Sequence, residues 1–185
     1  MNDRLKFLQN RNSAPRLCDP GPSPEELAEI IRAAIRAPDH AWLRPWRFLA
    51  IEGERRAEFG KILEHALLGR DPTADEAAKT KASRAPFRAP LVLVTIARFR
   101  EHPKVPEVEQ RLSAGCAAHA ALLAAEALGY AGVWRTGAAA WDRAVMADLG
   151  LAQNEEIVGF IYLGTRDGVG KAVPDLNPDE FLSHW

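Results

Sequence analysis

Apolar positions along the chain follow helical and strand periods in turn. Residues 4–9 suit a short helix with Leu5 and Leu8 inward, and a cationic, hydroxyl-bearing loop follows at 11–16. Ser23-Pro24-Glu25-Glu26 is a capping box with proline at the first helical position, after which Leu27, Ile30, Ile31, Ala34 and Ile35 share one helical face. Pro38 disfavours helix at Ala37, so an aromatic loop carries the chain to a strand at 47–52. An amphipathic helix from 54 to about 68 repeats Phe59, Ile62, Leu63 and Ala66. The polar, Ala- and Lys-rich stretch 71–85 reads as a mobile helical segment, and the apolar run 91–97 as a central strand.

The stretch 113–129, SAGCAAHAALLAAEALG, organises the rest. Its helix propensity is high, with Ser113 available as N-cap, Gly129 as a left-handed stop, and residues 107–111 able to extend its start. His119 and Glu126 are its strongly polar inner positions, so it predicts a helix covered on nearly every side. Its alanines and Gly115 allow another backbone to pack close, including that of a second copy. A short strand at 132–134 then delivers Arg135 and Thr136 at its carboxyl end, where α/β sheets hold ligands. A helix at about 141–149 and a last strand at 157–164 follow, and 166–185 has no period.

Composition narrows the class. At 185 residues, 47% hydrophobic and 26% charged, the chain predicts one globular domain, residues 1–185, with no run long enough to cross a bilayer. The amino-terminal residues hold no secretory signal, and a cytoplasmic protein is expected. Cys18 and Cys116 match no metal or disulfide spacing and read as inert thiols, Cys116 within the buried helix. A net charge of -1 offers nucleic acid no global field, so an anionic ligand must be met by individual arginines.

Chemistry-bearing motifs are few. GxGxxG after a strand, GxxxxGK[ST] and HExxH are all missing, which removes support for a Rossmann site, a P-loop and a zincin centre. No metal site is expected. Arg11 with Ser13 can grip a phosphate or can be solvated loop. Asp39-His40, beside Glu109, can serve as a general base or can be turn chemistry. A hydrolase built on that pair lacks a nucleophile with a matched base.

Taken in order, these stretches resemble the FMN-dependent nitroreductase family, and within it the short bacterial YdjA-like branch. The resemblance rests on Arg11-Asn12-Ser13, on Arg36-Ala-Pro-Asp-His40, on Pro45-Trp46-Arg47-Phe48 and on Ala85-Pro-Phe-Arg-Ala-Pro90. It continues through Ser113-Ala-Gly-Cys116, Gly132-Val-Trp-Arg-Thr-Gly137 and Val158-Gly-Phe-Ile-Tyr-Leu-Gly-Thr165. Asn12 departs from the family's second arginine, and Arg44 from the glutamine usual before Pro-Trp. The resemblance implies an α+β domain, a central mixed β-sheet flanked by helices, in an intertwined homodimer with FMN at the interface. It assigns Arg11 and Ser13 to the phosphate with Asn12 nearby in the cofactor site, Trp134, Arg135 and Thr136 to the flavin border, and Arg36 and His40 to the partner's site. It also implies NADH or NADPH as reductant, a small oxidised acceptor such as a nitroaromatic or quinone, and no acid-base residue of the protein's own. A flavin-binding or ligand-sensing relative without catalysis is the alternative on the same fold.

Overall fold

A computed structural model describes residues 2–185. In chain order the elements are α1 (Asp3–Gln9), β1 (Leu17–Cys18), α2 (Pro24–Ala34), β2 (Trp46–Glu52), α3 (Arg55–Arg70) and α4 (Glu76–Ser83). They continue with β3 (Leu91–Arg98), α5 (Glu107–Ala127), β4 (Ala131–Arg135), α6 (Arg143–Asp148) and β5 (Glu155–Arg166). Single 3-10 turns stand at His40–Trp42, Ala85–Arg88, Ala138–Trp141 and Pro178–Glu180.

The capping box forms as the sequence predicts: the Glu26 amide donates to Ser23 Oγ at 3.2 Å and the Ser23 amide to Glu26 Oε2 at 2.8 Å. The Tyr130 hydroxyl donates to the same carboxylate at 2.6 Å, tying the start of α2 to the end of α5. That bond, with those from Ser23, holds the Glu26 carboxyl below the usual carboxylate range. Helix α5 begins at Glu107, within the stretch expected to extend its start, and Ser113 is not its cap. Pro106 stands at its N-cap without a side-chain bond, and two acidic residues in the first turn favour that end. Ser113 therefore lies inside the helix.

Strand β5 pairs with β3 along one edge and with β4 and β1 along the other, and β2 closes the far side of β3. All four pairings are antiparallel, where a mixed sheet was expected, because β5 runs against each of its three neighbours. Alternation along β3 divides the core: Leu91 and Leu93 face α2 and α5, and Val92 and Val94 face α3 and α6. A register shift between Thr95 and Ile96 lets Ile157 join Phe160 and Tyr162 on the α3 side. On the other side, Ile30 and Ala34 of α2 meet Ala118, Ala121 and Ala125 of α5, the close approach that small residues permit.

Several apolar positions are left open. Leu5 and Leu8 are not inward: they are 51% and 50% exposed, since α1 joins none of the core clusters among the described residues. Val108 and Leu112 are likewise exposed and Cys116 faces outward, so α5 is uncovered along one side. No helix among the described residues is long and apolar enough to cross a membrane.

The buried Glu155 carboxylate braces the start of β5. Arg47 Nε and Nη2 each donate to it at 2.7 Å, the Ala152 amide at 3.0 Å, and Arg98 stands 3.5 Å away. The Arg47 guanidinium beside it holds its carboxyl below the usual carboxylate range. Replacing Arg47 by Met should cost about 3 kcal/mol at neutral pH, the low end for a broken buried pair because Arg98 remains. A carboxyl with a depressed folded pKa stabilises above its unfolded value and loses that contribution as pH falls. The deficit of Arg47→Met in urea unfolding should therefore shrink below about pH 4.3, the unfolded carboxylate value. A deficit that persists unchanged in acid would contradict the assignment.

Candidate functional site

Strand β4 is the spine of the site. The Ala14 amide donates to the Gly132 carbonyl at 2.9 Å, which lays the loop of residues 11–13 along the edge of β4 that β5 leaves free. Arg11 is half-buried, and its guanidinium and the Ser13 hydroxyl make no hydrogen bond or ion pair among the described residues. The loop thus keeps a cation and a hydroxyl available for an anion, which fits a phosphate. Asn12 does not add to them. Its Nδ2 donates to the Asn10 carbonyl at 3.3 Å and its Oδ1 is buried without a partner, so this side chain shapes the loop.

At the other end, alternation along β4 sends its residues to opposite faces. Arg135 is the last residue of the strand, not a position beyond it. Trp134 lies on the α5 face, against the core of α2 and α5. Arg135 lies on the α3 face, with its guanidinium 5.8 Å from the Tyr162 ring centre and its Nε buried without an acceptor. It is neither a solvated strand end nor half of an ion pair among the described residues. Thr136 is exposed, and Gly137 turns the chain away at φ 77°, a conformation that favours glycine.

Arg36 and His40 stand apart from both groups. His40 Nδ1 and Glu109 Oε2 are 2.8 Å apart, which docks the loop after α2 onto the first turn of α5. Asp39 accepts the Leu43 and Arg44 amides at 3.1 and 2.7 Å. That brace holds Ala41, Trp42 and Arg44 in the left-handed region, at φ 60°, 57° and 49°, a cost of about 1–2 kcal/mol for each side-chain-bearing residue. Asp39 thereby serves as a loop brace. Trp42 projects from this loop 77% exposed. Arg36 borders an open groove of about 600 Å³ between α2 and the outer side of α5, shared with Arg111, Cys116 and His119.

No hydrogen bond or ion pair joins Arg11, Asn12 or Ser13 to Arg36 or His40 among the described residues. The predicted site residues of the two loops thus share no direct bond within one chain. Among the described residues, no three His, Cys, Asp or Glu side chains gather as metal ligands would.

Sequence reasoning missed the residues that set Trp134 and Arg135. Gly159 on β5 leaves the space that the Trp134 indole fills: a Cβ there would stand 1.9 Å from Nε1. A glycine inside an otherwise apolar strand is the signal that marks such an approach. Tyr162 reads in sequence as an ordinary strand aromatic. Its phenol is pushed up by burial, against the pull of Arg135 and Arg88.

Comparison with known proteins is specific. The Nitroreductase family model matches residues 12–165. The chain is 44% identical over 186 residues to "Putative NAD(P)H nitroreductase YdjA" of Escherichia coli (strain K12), covering 99% of this chain and 100% of that protein. A nitroreductase-like family protein from Bacillus cereus superposes with a TM-score of 0.81 at 21% identity, over 100% of this chain and 97% of that one. A variant of NfnB, an FMN and NADPH-dependent nitroreductase from sphigopyxis sp. strain HMH, gives 0.76 at 20% identity over 97% of both chains.

Gly159→Ala should displace the Trp134 indole, since the backbone of β5 is fixed on both edges. A loss of about 1–3 kcal/mol in urea unfolding is expected, the range for overpacking a closed site. Unchanged stability would show that the indole has room to move.

Proposed function

The chain belongs to the nitroreductase family of oxidoreductases, and we propose that it is an FMN-dependent enzyme taking hydride from NADH or NADPH and reducing a small oxidised acceptor, such as a nitroaromatic or quinone, by a ping-pong mechanism. The observation that carries this reading is the arrangement along β4. Unpartnered Arg11 and Ser13 lie beside Gly132, and the strand ends at Arg135 and Thr136. From Gly132 to Thr136 an extended strand runs about 13 Å, which leaves room for a ribityl phosphate between an anion-binding loop and a ring-binding end.

Arg11 would pair bidentately with the phosphate, and Ser13 would donate its hydroxyl. Asn12 would shape the loop. Trp134 would wall the ring edge, Thr136 would offer backbone at the strand end, and Arg135 would bring a half-buried positive charge that favours negative charge nearby. FMN bound there supplies the two-electron exchange, hydride arriving from the nicotinamide and leaving to the acceptor. The protein itself holds, orients and excludes water.

Homodimer formation completes the site. Leu5, Leu8, Val108 and Leu112 are exposed apolar side chains that a second copy would cover, as would Phe181 and Trp185 of the carboxyl-terminal tail. Arg36 and His40 of the partner subunit would then reach the flavin. We read residues 1–185 as one domain of a cytoplasmic protein, where a nicotinamide reductant is at hand.

The purified protein should be yellow with FMN. Under anaerobic conditions it should bleach with NADH or NADPH and regain colour when benzoquinone is added after the nicotinamide is removed. Retained colour without bleaching would make it a flavin binder, and no flavin affinity would end the reading. Arg11→Ala should weaken FMN binding by about 1.5–3 kcal/mol, the worth of a hydrogen bond to a charged group. Equal affinity in a dialysis measurement would contradict the phosphate assignment.

A further inference from the structure

On the face of the sheet away from α5, a cavity of about 560 Å³ lies between α3, α4 and the chain that follows β4. Its volume falls in the range of small-molecule sites. Its apolar wall sets the aromatic rings of Phe59, Phe160 and Tyr162 among leucine and alanine side chains, and four cations border it: Arg70, Lys81, Arg88 and Arg135. No carboxylate lines it. Asp142 pairs with Arg70, whereas Lys81, Arg88 and Arg135 have no ion-pair partner among the described residues. Lys81 and Arg88 reach in from exposed positions, and Arg135 is half-buried.

Positive charges gathered without a counter-charge at an apolar space repel one another, and an anion between them relieves that repulsion. An aromatic wall cannot replace the water around a small inorganic ion. It can cover a flat hydrocarbon ring. We propose that this cavity binds a small aromatic carboxylate, with its ring on Phe160 and Tyr162 and its carboxylate between Arg88 and Arg135. Arg11, Asn12, Ser13, Arg36 and His40 do not line it, so the site is separate from the cluster assigned to the phosphate and shares only Arg135 and Thr136 with the flavin reading.

Calorimetric titration of benzoate and of benzyl alcohol, into flavin-loaded and flavin-free protein, tests the proposal. Benzoate should bind saturably to both forms, more weakly as salt is added, and benzyl alcohol at least about tenfold more weakly, because it offers no charge to the guanidinium groups. Arg88→Ala should weaken benzoate by at least about tenfold and leave its FMN content unchanged, and Arg88→Lys should lie between, since lysine gives only a point charge. Absent saturable binding, equal affinity for the alcohol, or benzoate affinity unaltered in both variants would overturn the site. Binding to the flavin-free protein alone would also overturn it, by showing that the cofactor fills the cavity, and would leave the flavin reading intact.

Discussion

Close approach along β5 is the constraint on which the rest depends. This strand carries β1, β3 and β4 on its two edges, and it does so around glycines. A Cβ at Gly159 would enter the Trp134 indole, and one at Gly164 would meet Pro90 Cδ at 2.6 Å and the Cys18 carbonyl at 2.9 Å. Across the ladder, a Cβ at Gly132 would press on Leu122, Leu163 and the Tyr162 carbonyl. These contacts fix β4 in height and register against the centre of the sheet. Once β4 is fixed, the bond between Ala14 and Gly132 fixes the loop that carries Arg11 and Ser13. A packing requirement in the core thus becomes the placement of a candidate anion site at the surface.

The same architecture leaves one side of the chain open. Helix α5 spends its alanine face on α2 and the sheet, and leaves Val108, Leu112 and Cys116 outside. The bond from His40 to Glu109 and the groove beside Arg36 lie toward that open side. In the proposed dimer a second copy covers that side of α5, and Arg36 and His40 are the residues assigned to the other copy's site. The left-handed residues braced by Asp39 hold Trp42 at the rim of that region, in a shape that costs conformational energy and so is set by the fold.

Local signals made much of this legible. The capping box at Ser23, the apolar run of β3 and the small-residue face of α5 each produced the element that propensity and period dictate. What periodicity could not reach were properties decided by neighbours. Ser113, a good cap residue in isolation, does not cap α5, because the acidic turn after Pro106 begins the helix earlier, within the stretch 107–111 expected to extend it. The inward placement of Leu5 and Leu8, and the burial of Cys116, failed for one reason: amphipathicity states that a face will be covered and not by which chain. The family motifs located Trp134 and Arg135, yet only strand alternation shows that the two side chains serve opposite faces. The cationic cavity was invisible because its residues come from α3, α4, β4 and β5, which meet only in three dimensions.

A site shared between two chains is the central claim, and a mixed dimer tests it most directly. Chains carrying Arg11→Ala and Arg36→Ala, with different affinity tags, can be co-expressed and the mixed species isolated and titrated with FMN. If Arg36 serves the partner's site, one site of the mixed dimer carries both lesions and the other carries neither. The account predicts one FMN bound per mixed dimer with the unaltered protein's affinity, while each variant alone binds weakly at every site. Weak binding at both sites of the mixed dimer would contradict it, because that result places Arg36 and Arg11 in the same chain's site.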